Sequence, residues 1–299
     1  MSHATAVRQS TDTTAFALMV LLCFLWGINQ VAAKLAAPGV SLVMQGGIRS
    51  AVAALCLLSW AYLRGIPLFK SDGSLPAGVL AGLLFAGEFL FIFAGLAHTG
   101  ASRMVVFVYL APCLTALGLQ WFVPSERLQF VQWVGVLLAF LGIVVAFGDG
   151  FTSSPASLLG DTFGVLAALL WATTTIVVRT TRLASISASK TLFYQLAVSA
   201  LLLLLASPLI GEPGIIDLSP LVLASLFYQS VIVAFASYLA WFWLLTRYLA
   251  ARLSVFAFFT PLFGVAAGVV VLGEPLRPTF VIAVALVGSG IYLVNKSAR

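Results

Sequence analysis

The chain has 299 residues, 62% of them hydrophobic and only 8% charged, with a mean hydropathy of +1.13 and a formal net charge of +6. Ordinary soluble domains carry roughly 25% charged residues, so this composition excludes a soluble fold and points to an all-α polytopic membrane protein. The basic excess lies beside apolar segments, where it acts as a topology signal; no nucleic-acid partner is expected.

Residues 1–14 are polar, rich in Ser and Thr, and read as a cytoplasmic tail. Ten apolar segments follow, at 15–35, 41–63, 75–97, 101–123, 128–148, 157–179, 187–210, 219–245, 250–272 and 278–295. About 20 such residues cross a bilayer as a helix. Turn chemistry separates them: Pro38-Gly39, Pro67 with Asp72-Gly73, Pro124-Ser125, Gly148-Asp149-Gly150, Pro213-Gly214 and Glu274-Pro275. The first segment is longer than the apolar region of a typical signal peptide and is read as a retained span. Cys23, Cys56 and Cys113 sit singly in apolar runs, and His3 and His98 are far apart. No phosphate loop, dinucleotide fingerprint or metal motif occurs, so neither cofactor nor metal is expected.

The chain also repeats itself. Arg103, Val106, Phe107 and Pro112 return 149 residues later as Arg252, Val255, Phe256 and Pro261; Glu126, Gly142 and Ile143 return 148 later as Glu274, Gly290 and Ile291. Tyr109 pairs with Phe258, and Trp26 with Trp171 at an offset of 145. Residues 15–148 and 157–295 are thus two five-span units. With an odd number of spans each, the second enters the membrane upside down relative to the first, an architecture of secondary transporters with a midplane substrate site.

Placing both termini inside puts Arg8, Arg64, Lys70, Arg127, Arg179, Arg182, Lys190, Arg247, Arg252, Lys296 and Arg299 on the inner side. The outer side holds only Lys34, Arg103 and Arg277. That asymmetry predicts cytoplasmic termini.

Trp26-Gly27, Arg49, the run from Ala101-Ser102-Arg103 through Pro112 to Glu126, and the echoes Trp171, Pro261 and Glu274 resemble the drug/metabolite transporter superfamily in its ten-helix form with two EamA-type units. The resemblance spans residues 15–295. Leu83-Leu84-Phe85 leading to Glu88, Tyr109-x-x-Pro112, Trp171, Tyr238-x-x-Trp241 and Phe259-Thr260-Pro261 are most similar to bacterial amino-acid exporters, including the YddG type for aromatic amino acids. Trp171-Ala172 departs from the Trp-Gly of the first half. The resemblance implies a non-enzymatic secondary transporter of the bacterial inner membrane. It would export small, partly apolar metabolites by alternating access, with a broad drug exporter or an uptake permease as rivals. A monomer is the expected state, with a dimer open.

Glu88 is the only acid deep within a span, and such residues face a cavity or a partner. Two readings stand: an ion pair with Arg49 of the neighbouring span, or contact with a substrate ammonium or a coupling proton. Its repeat counterpart is Ser237, so the fold does not demand the charge twice. Arg49 is read as a structural charge. Phe85, Tyr109, Trp171, Tyr238 and Trp241 are candidate substrate aromatics. Asn29 either lines the path or bridges helices. Pro112 and Pro261, mid-span in equivalent helices, are candidate hinges. Spans three, four, six, eight and nine are expected to wall the cavity. Gly78-x-x-x-Gly82 is expected to allow close helix approach within the molecule. A lipid-acting enzyme would need a nucleophile–base or paired-carboxylate set at depth, which the chain lacks.

Overall fold

The computed structural model describes residues 9–96, 98–99, 101–148, 155–273 and 278–296. The repeat marker Glu274, the charges Arg8, Asp149, Arg277 and Arg299, and most of the polar tail lie outside them. Among the described residues, nine helical stretches are apolar and long enough to cross a membrane, and Thr279–Asn295 adds a tenth of 17 residues. At 1.5 Å per residue that tenth helix is about 25 Å long, near the hydrocarbon thickness.

In chain order the first three spans are α1 (Thr13–Ala36), α2 (Leu42–Leu63) and α3 (Leu75–Leu96). Span four is broken into α4 (Ala101–Val108) and α5 (Ala111–Phe122), and α6 (Phe130–Phe147) ends the first unit. The second unit begins with α7 (Pro155–Thr180) and α8 (Ala188–Leu209). Span eight joins α9 (Pro220–Phe227), a π-helical stretch Tyr228–Ser237 and α10 (Tyr238–Arg247). Span nine joins α11 (Ala250–Ser254), a 3-10 turn Val255–Phe258 and α12 (Phe259–Leu272); α13 (Thr279–Asn295) closes the chain.

The interruptions have local causes. A proline ring clashes with the carbonyl four residues earlier and supplies no N–H. Accordingly α4 stops at Val108, four residues before Pro112, and α5 restarts with Pro112 in its first turn. Four residues before Pro261 the chain tightens into the 3-10 turn. In span eight, Ser230 and Ser237 donate their hydroxyls to the carbonyls of Leu226 and Val233, each at 2.6 Å. Such back-bonding bends helices, and it brackets the π-helical stretch.

The two units interlock. α2 packs chiefly against α8 and the π stretch, α3 against α7 and α8, α1 against α12 and span eight, and α6 against α13. Each first-unit pairing has a second-unit counterpart: α3 with α7 mirrors α1 with span eight, and α1 with α12 mirrors span four with α7. The expectation that spans two and three are close neighbours is corrected: α2 and α3 touch little because α8 packs against both.

Glycines set these contacts. A Cβ on Gly135 would lie 2.7 Å from the Gly290 carbonyl oxygen, and one on Gly142 would lie 3.0 Å from that of Ala283. The register runs oppositely along the two helices, so α6 and α13 are antiparallel. On α3, a Cβ at Gly78 would meet the Tyr194 ring at 2.3 Å and one at Gly82 would meet Val198 Cβ at 2.5 Å. Gly78-x-x-x-Gly82 therefore packs within the molecule, against α8.

Polar loops complete both ends. Glu212 accepts from the Ser41 and Ser207 hydroxyls at 2.8 Å each and from the Val43 and Met44 amides at 3.1 and 3.2 Å. It thereby satisfies otherwise orphaned donors at the start of α2. At the opposite end Asp12 caps α1 by accepting from the Ala15 amide at 2.8 Å, and the Tyr248 hydroxyl donates to it at 2.9 Å. These bonds hold the Asp12 carboxyl below the usual carboxylate range. Thr11 donates to Asn295 at 2.6 Å, so residues near both termini meet at one end.

Candidate functional site

Eight of the ten spans surround a central cavity of about 190 Å³; spans five and ten pack against each other and contribute nothing to its lining. The sequence expectation of five walls is thus widened by spans one, two and seven, which contribute Trp26, Asn29 and Gln30, Arg49, and Gln195.

The wall is largely aromatic. The Trp26 ring meets Tyr238 at 6.2 Å and Trp241 at 5.9 Å between centroids, both edge-on. Phe85 continues this cluster, edge-on to Tyr238 at 6.1 Å and to Phe89 at 5.1 Å. Tyr109 and Trp171 form a second edge-on pair at 5.8 Å. Edge-to-face pairing suits aromatic quadrupoles and fixes these rings against one another. The Trp26 indole N–H donates to the Ser237 hydroxyl at 2.9 Å. Ser237, the counterpart of Glu88, thus holds an aromatic wall in place.

Set into this wall are two charged side chains, Glu88 and Arg49, 8% and 5% exposed. They form no ion pair. The guanidinium of Arg49 instead lies with its carbon over the Phe89 ring, 4.3 Å from the centroid. Its Nε and Nη2 have no hydrogen-bond partner. Pairing with Glu88, the structural role the sequence offered for Arg49, does not account for those two N–H groups. Glu88 has no ion-pair partner among the described residues and lines the cavity. Asn29 Oδ1, Gln195 Nε2 and Thr260 Oγ1 are also buried and unpartnered cavity-lining groups.

Phe85, Glu88, Asn29, Tyr109, Trp171, Tyr238 and Trp241 all line this one cavity, as do Pro112 and Arg49; Pro261 does not. Sequence reasoning did not place Phe89 on the Glu88 face, and the ring turns out to be the platform under Arg49. Thr174, Thr175 and Gln195 were not singled out, and Thr260 only as part of the Phe259-Thr260-Pro261 motif. For the first two a signal existed, because they stand 145 residues after Asn29 and Gln30, the offset relating Trp26 to Trp171.

A family model described as the EamA-like transporter family matches residues 13–148 and again residues 158–296. The chain belongs to this family. It is a multi-pass membrane transporter of the drug/metabolite transporter superfamily, not an enzyme. Among its relatives, an uncharacterized transporter, YvbV, of Bacillus subtilis is 24% identical over 98% of this chain and 95% of its own length. A probable amino-acid metabolite efflux pump of Salmonella typhimurium is 25% identical over 94% of this chain and 97% of its own. One crystal structure matches with a TM-score of 0.81 at 20% identity, covering 95% of this chain and 96% of the other, which establishes a common fold.

In this EamA-like transporter a buried network lies below the cavity. Glu126 forms an ion pair with Arg179 and accepts from the Ala251 amide at 2.9 Å, serving the start of α11. Arg179 also donates to the Leu245 carbonyl at 3.1 Å. Leu245 and Val178, next to Arg179, both line the cavity. The network therefore joins the first unit to three spans of the second at that end.

Proposed function

We propose that this transporter exports small amino acids with aromatic or otherwise apolar side chains, by alternating access around the central cavity. The observation that carries this reading is an aromatic-walled cavity holding one unpaired carboxylate, Glu88. A carboxylate attracts an ammonium group, and ring faces accept both flat apolar side chains and cations. The volume, about 190 Å³, lies below the roughly 300–1,000 Å³ that hold drug-sized ligands, which favours a small metabolite over a broad drug exporter. The Salmonella relative, named a probable amino-acid metabolite efflux pump, supports efflux of amino-acid metabolites.

Alternating access between inverted units draws support from the reciprocal packing of the two units and the antiparallel α6–α13 pair. In this reading Pro112 and Pro261 mark hinge points, each beside a broken stretch of its span. Residues near both termini meet at one end of the molecule. The asymmetry of Arg and Lys favours that end being cytoplasmic, in a bacterial inner membrane, with the protein working as a monomer.

The test is flux in proteoliposomes containing only this protein, with labelled phenylalanine, threonine, alanine and a cationic drug, with and without a proton gradient. Saturable amino-acid movement is expected, abolished by Glu88→Gln at normal membrane expression. Drug movement without amino-acid movement would overturn the substrate class. Saturable flux in which Glu88→Gln matches the parent would remove Glu88 from the site.

A further inference from the structure

We infer that Arg49 is a carboxylate anchor, and that the cavity selects ligands bearing a free carboxylate group. This deepens the proposed function and rests on it only for the identity of the transported molecule.

The argument starts from the geometry of the guanidinium. Its carbon lies over the Phe89 ring, 4.3 Å from the centroid. The buried atoms without a partner are Nε and Nη2, and these two N–H groups lie along one edge of the plane. That edge presents two parallel donors at the spacing of two carboxylate oxygens, the bidentate pairing for which arginine is suited. A buried charge with unmade hydrogen bonds is costly. Arg49 nevertheless stays unpaired while the cavity's only acid, Glu88, lines the same space. The contact with the Phe89 ring holds the guanidinium without using these two donors, so they remain open to an incoming acceptor.

The cavity is therefore bipolar. Arg49 offers donors only, whereas Glu88 and Asn29 Oδ1 offer acceptors. One small zwitterion satisfies both ends with its carboxylate on Arg49 and its ammonium toward Glu88. A cationic amine satisfies only one end and leaves Arg49 buried and unpaired. The same arrangement accounts for a span-two arginine whose repeat-related region in span seven supplies the neutral Gln195: only one half of the cavity needs the positive charge.

The test is direct binding to the purified full-length protein in lipid nanodiscs, using four probes: phenylalanine, 3-phenylpropionate, phenylalaninamide and 2-phenylethylamine. The two carboxylates are expected to bind, and the amide and amine to bind at least roughly thirtyfold more weakly. Arg49→Gln should weaken both carboxylates by a similar factor and leave the other two unchanged. Arg49→Lys should recover part of the loss, since it restores the charge without the fork. Thermal unfolding reports whether the variants fold, and the comparison of probes on the parent protein stands without them. Amide binding equal to phenylalanine binding overturns the anchor, and phenylalanine flux would then still uphold the proposed function. Arg49-dependent binding of 3-phenylpropionate without phenylalanine flux upholds the anchor and overturns the proposed substrate. Failure of all four probes to bind overturns both.

Discussion

Glu126 and Arg179 form an ion pair across the interface between the two repeats, with both side chains withdrawn from solvent. Glu126 also receives the Ala251 amide, and Arg179 reaches the Leu245 carbonyl. Burying two charges costs desolvation, and only a well-bonded pair offsets it. Removing one partner leaves the other stranded, whereas removing both leaves neither. Glu126→Gln and Arg179→Gln should each lower stability by about 3–5 kcal/mol, and the double variant should cost less than the sum. Thermal unfolding of the purified protein in detergent measures this, and strict additivity would show that the two charges are not coupled.

Gly135 and Gly290 carry the closest approach of α6 and α13. A Cβ on Gly290 would sit 2.5 Å from the Gly135 carbonyl oxygen, and backbone cannot yield as a side-chain tip does. Gly135→Ala and Gly290→Ala should each destabilise by about 1–3 kcal/mol, the usual cost of overpacking. Gly288→Ala is the control: the space around Gly288 is open, so it should be neutral or slightly stabilising. Melting temperatures of the three variants, compared side by side, check the contrast.

At Pro112 the break between α4 and α5 coincides with the cavity wall. Alanine there restores an N–H and removes the ring clash, allowing α4 and α5 to join as one helix. Pro112→Ala is expected to slow transport several-fold while the protein still folds. Pro261→Ala, whose site does not line the cavity, should affect substrate half-saturation less. Initial rates in proteoliposomes over a range of substrate concentrations separate the two effects. A normal rate for Pro112→Ala would remove it as a hinge.

Asp72, in the loop between α2 and α3, pairs with Lys190 at 2.7 Å and receives the Ser74 hydroxyl at 2.5 Å. Lys190, followed by Ser74, holds the Asp72 carboxyl well below the usual carboxylate range. A carboxylate depressed on folding stabilises the native state above its unfolded value, about 3.9. That contribution is lost as pH falls toward the folded value. Asp72→Asn should therefore lower the melting temperature at pH 7, and the gap from the parent protein should narrow progressively below about pH 4. A gap independent of pH would mean that the charge of Asp72 contributes nothing.

Ten apolar segments, their boundaries within a few residues, the duplication into two five-span units and the membrane class were all legible in the sequence. These depend on local hydropathy, segment length and turn residues, each readable one segment at a time. Glu88 was also recognisable as a cavity candidate because an acid deep in a span is unusual, whereas Phe85, Tyr109 and Trp171 stood out from the many other aromatics through the resemblance to bacterial exporters. Helix pairing was not legible. In lipid every face of a span is apolar, so sequence periodicity does not mark which face meets which neighbour. Contacts such as Gly135 with Gly290, or Gly82 with Val198, join residues more than a hundred positions apart. Only the tertiary structure decided that α8 packs against both α2 and α3. It also set the Arg49 guanidinium over Phe89 and not against Glu88, because side-chain direction across a helix contact is decided by packing and not by sequence spacing. Both charges therefore line the cavity without forming an ion pair.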